Sequence, residues 1–175
     1  MAWRPLLVGE LEARARDRIA AAAEAVDRAS WADPGLDRGA AGAALLFGCM
    51  ARDGYQDAGG RAAELLEAAV GGLSSAQVSP WLFGGVTGVA WALEHLSDVV
   101  EIDPDALDDI DDSVLELVGR EELLAPAELV EGLVGLGVYA LERLPRPAAG
   151  VMLTHTVAQL ATAPTATAGG LAHGG

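Results

Sequence analysis

The chain has 175 residues, 51% hydrophobic but only 5% aromatic, so alanine and leucine rather than rings must fill its interior. A formal net charge of -15 argues against a nucleic-acid partner and against docking on an anionic membrane, since both need basic surface. A single cysteine allows no internal disulfide, the early charge at Glu10 argues against a signal peptide, and no apolar run approaches the ~20 residues of a membrane span, so a cytoplasmic protein is expected.

From Leu6 to Ala29 the residues are strong helix formers, and Leu7, Leu11, Ile19, Ala23 and Val26 recur at helical spacing among Arg, Glu and Asp. Trp31-Ala-Asp-Pro-Gly35 breaks this helix. Ala40 to Met50 is apolar nearly all round, which predicts a buried helix closed by Gly54, with Cys49 as core packing. Asp57 to Leu73 is amphipathic again. Ser79-Pro80 precedes a second buried helix, from about Phe83 to Leu96. Asp103-Pro104 reads as an N-cap acid followed by a proline in the first turn, opening a helix with Leu107, Ile110, Val114 and Leu117 on one face and acids on the other. A third buried helix is expected from about Glu131 to Leu144, and an amphipathic one from Ala148 to Leu160. His95 and His155 read as ordinary helix residues, and Trp81 and Trp91 as packing. Ala161 to Gly170 is a small, uncharged linker before His173. Nothing reads as a strand.

Each buried helix opens on the same pattern. Leu36-Asp-Arg-Gly39-Ala-Ala-Gly42, Leu82-Phe-Gly-Gly85-Val-Thr-Gly88 and Leu129-Val-Glu-Gly132-Leu-Val-Gly135 are three copies, and Leu171-Ala-His-Gly174 begins a fourth. The leading glycines at 39, 85, 132 and 174 keep a nearly constant step, and a period of roughly 40–47 residues is that of a helix pair with its connections. Outer amphipathic helices alternating with glycine-started inner ones predict an all-α fold of repeated helical hairpins, an α/α barrel, toroid or open solenoid. A glycine inside a helix costs about 1 kcal/mol relative to alanine. Two per copy therefore imply backbone packed on backbone or a start at positive φ. A helix start with free N–H groups would also suit an anionic or polar ligand.

These residues carry a resemblance. Gly170-Leu-Ala-His-Gly174 is similar to the Gly-x-Ala-His-Gly signature of lanthionine synthetase C-like proteins, the lanthipeptide cyclases, and the copies at Leu36, Leu82 and Leu129 resemble that family's inner-helix starts. The resemblance implies a ring of helical hairpins, an α/α toroid, of which residues 1–175 would form one domain of about half a ring, cut after the histidine motif. It also implies addition of a cysteine thiol of a precursor peptide to dehydroalanine or dehydrobutyrine, with zinc lowering the thiol pKa. The family's zinc ligands are cysteines and a histidine in later hairpins, and none of those motifs is in this chain.

His173 is the leading candidate for catalysis. Glycines flank it, an unperturbed imidazole near pKa 6.5 suits proton transfer, and the resemblance gives it the proton of the enolate carbon. Glu128 stands where the family often has an aspartate and could orient His173 or simply cap a helix start. Glu131 has the register in copy three that His173 has in copy four, which makes it a candidate for substrate binding. Three readings remain open: a cyclase of this kind, inactive as half a ring; a non-catalytic peptide- or thiol-binding scaffold; and an unrelated α/α-barrel enzyme, which would need paired carboxylates. Self-association through open toroid edges is expected of the half-ring, and a monodisperse, stable monomer would favour the scaffold.

Overall fold

The computed structural model of the protein describes residues 6–74, 79–103, 105–120, 123 and 125–162. The expected fourth copy, with His173, lies outside the described residues. Among the described residues seven α-helices follow one another: α1 (Glu10–Asp27), α2 (Ala40–Arg52), α3 (Ala58–Leu73), α4 (Val86–His95), α5 (Asp108–Val118), α6 (Leu133–Glu142) and α7 (Pro147–Thr162). Among the described residues the only β-type pairing is an isolated bridge between Ser79 and Gly85. The all-α expectation holds.

The inner helices α2, α4 and α6 lie side by side in chain order. Of the glycine-started helices, α2 packs chiefly on α3 and α6 on α7, the outer helices that follow them, whereas α4 lies mainly against α6, α2 and α3, with α5 bridging α4 and α7. This is the repeated-hairpin arrangement of an α/α-toroid fragment. Small side chains let the helices approach. Ala41, Ala44, Ala62, Ala69, Ala90 and Ala140 are all fully buried, and Leu66, Leu96 and Leu136 fill the gaps between them. Gly48 is glycine because the Leu96 side chain occupies the place of its Cβ. Each fully buried leucine contributes about 1.5–3 kcal/mol.

Three expectations need correction. The second and third buried helices start later than their apolar runs, at Val86 and Leu133, because Phe83 to Gly85 and Glu131 to Gly132 belong to the loops. Asp103 does not cap a helix. Its Oδ1 accepts the Asp105 N–H at 3.0 Å, a local Asx turn, and α5 begins only at Asp108. Cys49 is exposed, not core. On a helix as uniformly apolar as α2 the sequence gives no phase, and Cys49 falls on the face that the neighbours leave bare.

Apart from Val70 on α3, the exposed large apolar side chains lie toward the two ends of the row. Leu7, Leu11 and Ile19 are exposed at the leading end, and Leu129, Val130, Leu141, Leu144, Val151 and Val157 at the trailing end. Helix α1 buries only Ala23. Ion pairs tie it to the body, Arg16 to Asp53 and Asp27 to Arg61, both at 2.6 Å. Solvent-accessible pairs of this kind contribute about 0–1 kcal/mol each.

Candidate functional site

The three glycine loops fold alike. Gly39, Gly85 and Gly132 are the N-caps of α2, α4 and α6, each extended, with φ of -121°, -133° and -148°. Positive φ is therefore not the reason for glycine here. In every copy the carbonyl oxygen six residues earlier lies where a Cβ would be: that of Asp33, Ser79 or Pro126 for the first glycine, and that of Leu36, Leu82 or Leu129 for the second. The loop curls so tightly over the helix start that only backbone fits. The same carbonyls then cap the helix. Ala40, Val86 and Leu133 each donate their N–H to the oxygen of Asp33, Ser79 and Pro126, all at 2.9 Å. In α2 the next two N–H groups go to Pro34 at 3.2 Å and Gly35 at 3.3 Å. In α2 and α6 the expected free N–H groups are thus already satisfied, and these helix starts are not open anion sites.

The loops also pair with one another. Leu36 and Asp37 donate their N–H groups to the Phe83 carbonyl at 2.7 and 3.4 Å, and Phe83 donates to the Val130 carbonyl at 3.5 Å. Asp37, Phe83 and Val130 share one register, two residues before the leading glycine. The leucine of each loop lies over the second glycine of the next copy, Leu36 on Gly88 and Leu82 on Gly135. Leu-x-x-Gly-x-x-Gly is thus a code for stacking one hairpin on the next.

Glu128 lies at the trailing edge of this row, half-buried. Its Oε2 accepts the Val130 N–H at 2.8 Å and its Oε1 accepts the Glu131 N–H. The carboxylate is committed to its own loop. Glu131 is exposed on the same loop. Beside the first loop a cleft of about 210 Å³ is lined by Trp31, Leu36, Asp37, Arg38, Gly39 and Gly42 among others. The Trp31 Nε1 donor is buried without a hydrogen-bond partner.

The opposite end of the inner helices carries charge. Arg143, fully buried, places Nε 3.0 Å from both Asp111 oxygens, Nη2 2.6 Å from Asp111 Oδ2 and Nη1 2.6 Å from Glu94. The Tyr139 hydroxyl donates to Asp111 Oδ1 at 2.5 Å. Burial works against the guanidinium charge, but the bonds to Asp111 and Glu94 outweigh it and hold Arg143 above the ordinary arginine range. Burial, and then the bond to Asp111, push the Tyr139 hydroxyl up. Nearby, Arg52 forms a fork on Asp98 at 2.6 and 3.0 Å and reaches His95 Nε2 at 3.3 Å. The Arg52 fork lowers the Asp98 carboxyl. His95 Nδ1 is 2.8 Å from Glu142 Oε1, and the ring stacks on Trp91 with centroids 4.6 Å apart. His95 is therefore more than an ordinary helix residue. With Nε2 facing a donor-only guanidinium, the consistent tautomer has Nδ1–H donating to Glu142. A signal for this cluster existed in the sequence, since Cys49, His95 and Glu142 share one position in the three inner helices, ten residues after the loop glycine.

This donor set does not fit zinc. A zinc site needs three or four ligands. Here Glu142 and Arg52 hold both nitrogens of His95, and the Arg52 cation stands beside Cys49. Among the described residues no three His, Cys, Asp or Glu side chains are grouped to hold a metal ion. No described helix is long and apolar enough to cross a membrane.

Residues 30–155 match the sequence pattern described as lanthionine synthetase C-like protein. No curated protein and no solved structure matches the chain.

Proposed function

Because the chain belongs to the lanthionine synthetase C-like family, we propose that it is the loop-bearing half of a thioether-forming toroid that works on a peptide holding both cysteine and dehydroalanine or dehydrobutyrine. In that addition the thiolate attacks the β-carbon, the carbon–sulfur bond forms, and the π pair moves to the α-carbon, which takes a proton. No oxidant is needed. The chain's part is the proton side: His173 exchanges the proton at the α-carbon, Glu131 meets the peptide, and Glu128 is the carboxylate that orients His173. The family implies zinc for thiol activation, and because a single cysteine cannot supply that site's thiolate ligands, this reading has the chain inactive as a cyclase by itself. The observation that carries this reading is the row of glycine loops in one backbone register, which supports a continuous wall at one end of the inner helices. The exposed apolar ends of the row support self-association of the chain.

The test is to mix the purified chain, with zinc in the buffer, with a peptide carrying cysteine and dehydroalanine. Binding is followed by calorimetry and free thiol by alkylation. Binding with thiol loss at the uncatalysed rate is the expected result. Catalysed thiol loss would overturn the half-ring reading, and absence of binding would overturn the peptide. A non-catalytic peptide- or thiol-binding scaffold is favoured by one observation, the commitment of the Glu128 carboxylate to its own loop. Stoichiometric zinc in the complete gene product separates the cyclase from the scaffold.

A further inference from the structure

Helix α1 is held differently from the other helices. It buries one residue, Ala23, whereas α7 at the far end of the row buries Ala149, Met152 and Thr156. Cavities run along its inner side. One of about 300 Å³ lies between Arg16, Asp17 and Ala20 of α1 and the Asp53-Gly54-Tyr55 turn. Another of about 530 Å³ lies between Asp27 and the α2–α3 hairpin, on a floor of Phe47, Met50 and Ala58. Tyr55 borders both. Its buried hydroxyl has the Arg16 guanidinium beside it, a donor only, so its own proton finds no acceptor. A close-packed interface leaves few such voids. Charge spans the gaps instead: Arg16 meets Asp53 and Arg61 meets Asp27, both at 2.6 Å and both open to solvent.

We propose that α1 is an electrostatic strap, fastened to the α2–α3 hairpin by these two ion pairs and released when they are screened, which opens the apolar-floored cleft beneath it. Apolar burial holds a helix at any ionic strength. Exposed ion pairs do not, because the screening length falls from about 30 Å at 0.01 M salt to about 3 Å at 1 M. With a single alanine buried, the pairs carry a large share of the hold on α1. Release opens the cleft along its Asp27 side and gives solvent a path to Phe47 and Met50, which are 7% and 8% exposed with the strap in place. The hairpin beneath does not depend on the strap, since α2 and α3 pack on each other and on α4. The family pattern starts at residue 30, after α1, so the strap lies outside the part that carries that pattern. The proposal is independent of the cyclase-type reading.

Thiol labelling tests it in the whole chain with Cys49→Ser. Ala23→Cys places a thiol at the one position that α1 buries, so its labelling reads release of the strap. Ala62→Cys in α3 and Ala140→Cys in α6 stand at fully buried positions and read global opening. Circular dichroism confirms that each variant is folded. Between about 0.02 M and about 0.5 M NaCl, labelling of Ala23→Cys should rise about fivefold while the two controls stay unchanged. Adding Asp27→Asn and Asp53→Asn, which keep shape and remove charge, should bring the low-salt rate up to the high-salt one and abolish the salt response. Ala23→Cys labelled no faster than the controls, or at a rate that ignores salt, would overturn the proposal. So would a double Asn variant that is folded and still responds to salt as its parent does.

Discussion

The two ends of the inner helices are built by opposite means. At the loop end, α2, α4 and α6 start on three copies of one backbone device, in which carbonyls sit where Cβ atoms would be and then accept the first helical N–H. At the other end the copies diverge. Position ten after the glycine is Cys49, His95 or Glu142, and the contacts there are made by side chains, above all the buried Arg143–Asp111 pair. A backbone device tolerates no change in side-chain volume but repeats without alteration. A side-chain device is unique to its place and can be replaced by something of equal shape. The difference teaches where this protein is held to one sequence and where it is free.

Glycine substitution should break the comparison open with the largest effect. By helix propensity Gly88→Ala ought to stabilise α4 by about 1 kcal/mol. Because the Leu82 carbonyl occupies the Cβ position, we expect instead a loss of about 4 kcal/mol or more, since backbone cannot step aside as a side chain can. Gly71→Ala is the control. Nothing lies near its Cβ on α3, and it should gain about 0.4–1 kcal/mol. Urea unfolding of both variants gives the two signs, and a stabilised Gly88→Ala would remove the close-approach account.

The charged end should lose about 3–5 kcal/mol on Arg143→Ala, which leaves the buried Asp111 charge without its partner. The loss on Asp111→Ala should be smaller, because Glu94 still holds Arg143. The double replacement Arg143→Met with Asp111→Leu should return most of that, because buried ion pairs exchanged for apolar side chains of similar volume are often neutral. No such double repair is expected for the glycine loops. A double variant as unstable as the singles would mean that the charge itself is required.

The smallest effect is on pH dependence. Tyr139 has its pKa raised by burial and by Asp111 above the ordinary 10.0. Such a group contributes stability that is fully present below pH 10.0 and lost as pH rises through the folded value. Denaturant midpoints between about pH 8 and 11 should therefore fall on the alkaline side. Tyr139→Phe should flatten that limb and cost about 1 kcal/mol at neutral pH for the lost hydrogen bond. An alkaline limb unchanged in Tyr139→Phe would assign it to other groups.

The helices, their order and their inner or outer place were legible in the sequence, because apolar periodicity and the 46- and 47-residue glycine steps from Gly39 to Gly85 to Gly132 are properties of the chain alone. The family was legible for the same reason. Tertiary structure decided what the glycines are for, since only the folded loop shows which carbonyl fills each Cβ position. It decided the start of α5, where the Asp103 side chain turned to Asp105 rather than to a helix. It decided that Cys49 is exposed and that His95 sits between Arg52 and Glu142, partners 43 and 47 residues away in sequence. Periodicity records which face of a helix is apolar. Which charge meets which across three helices depends on their axial register, and that is set only when the loops stack.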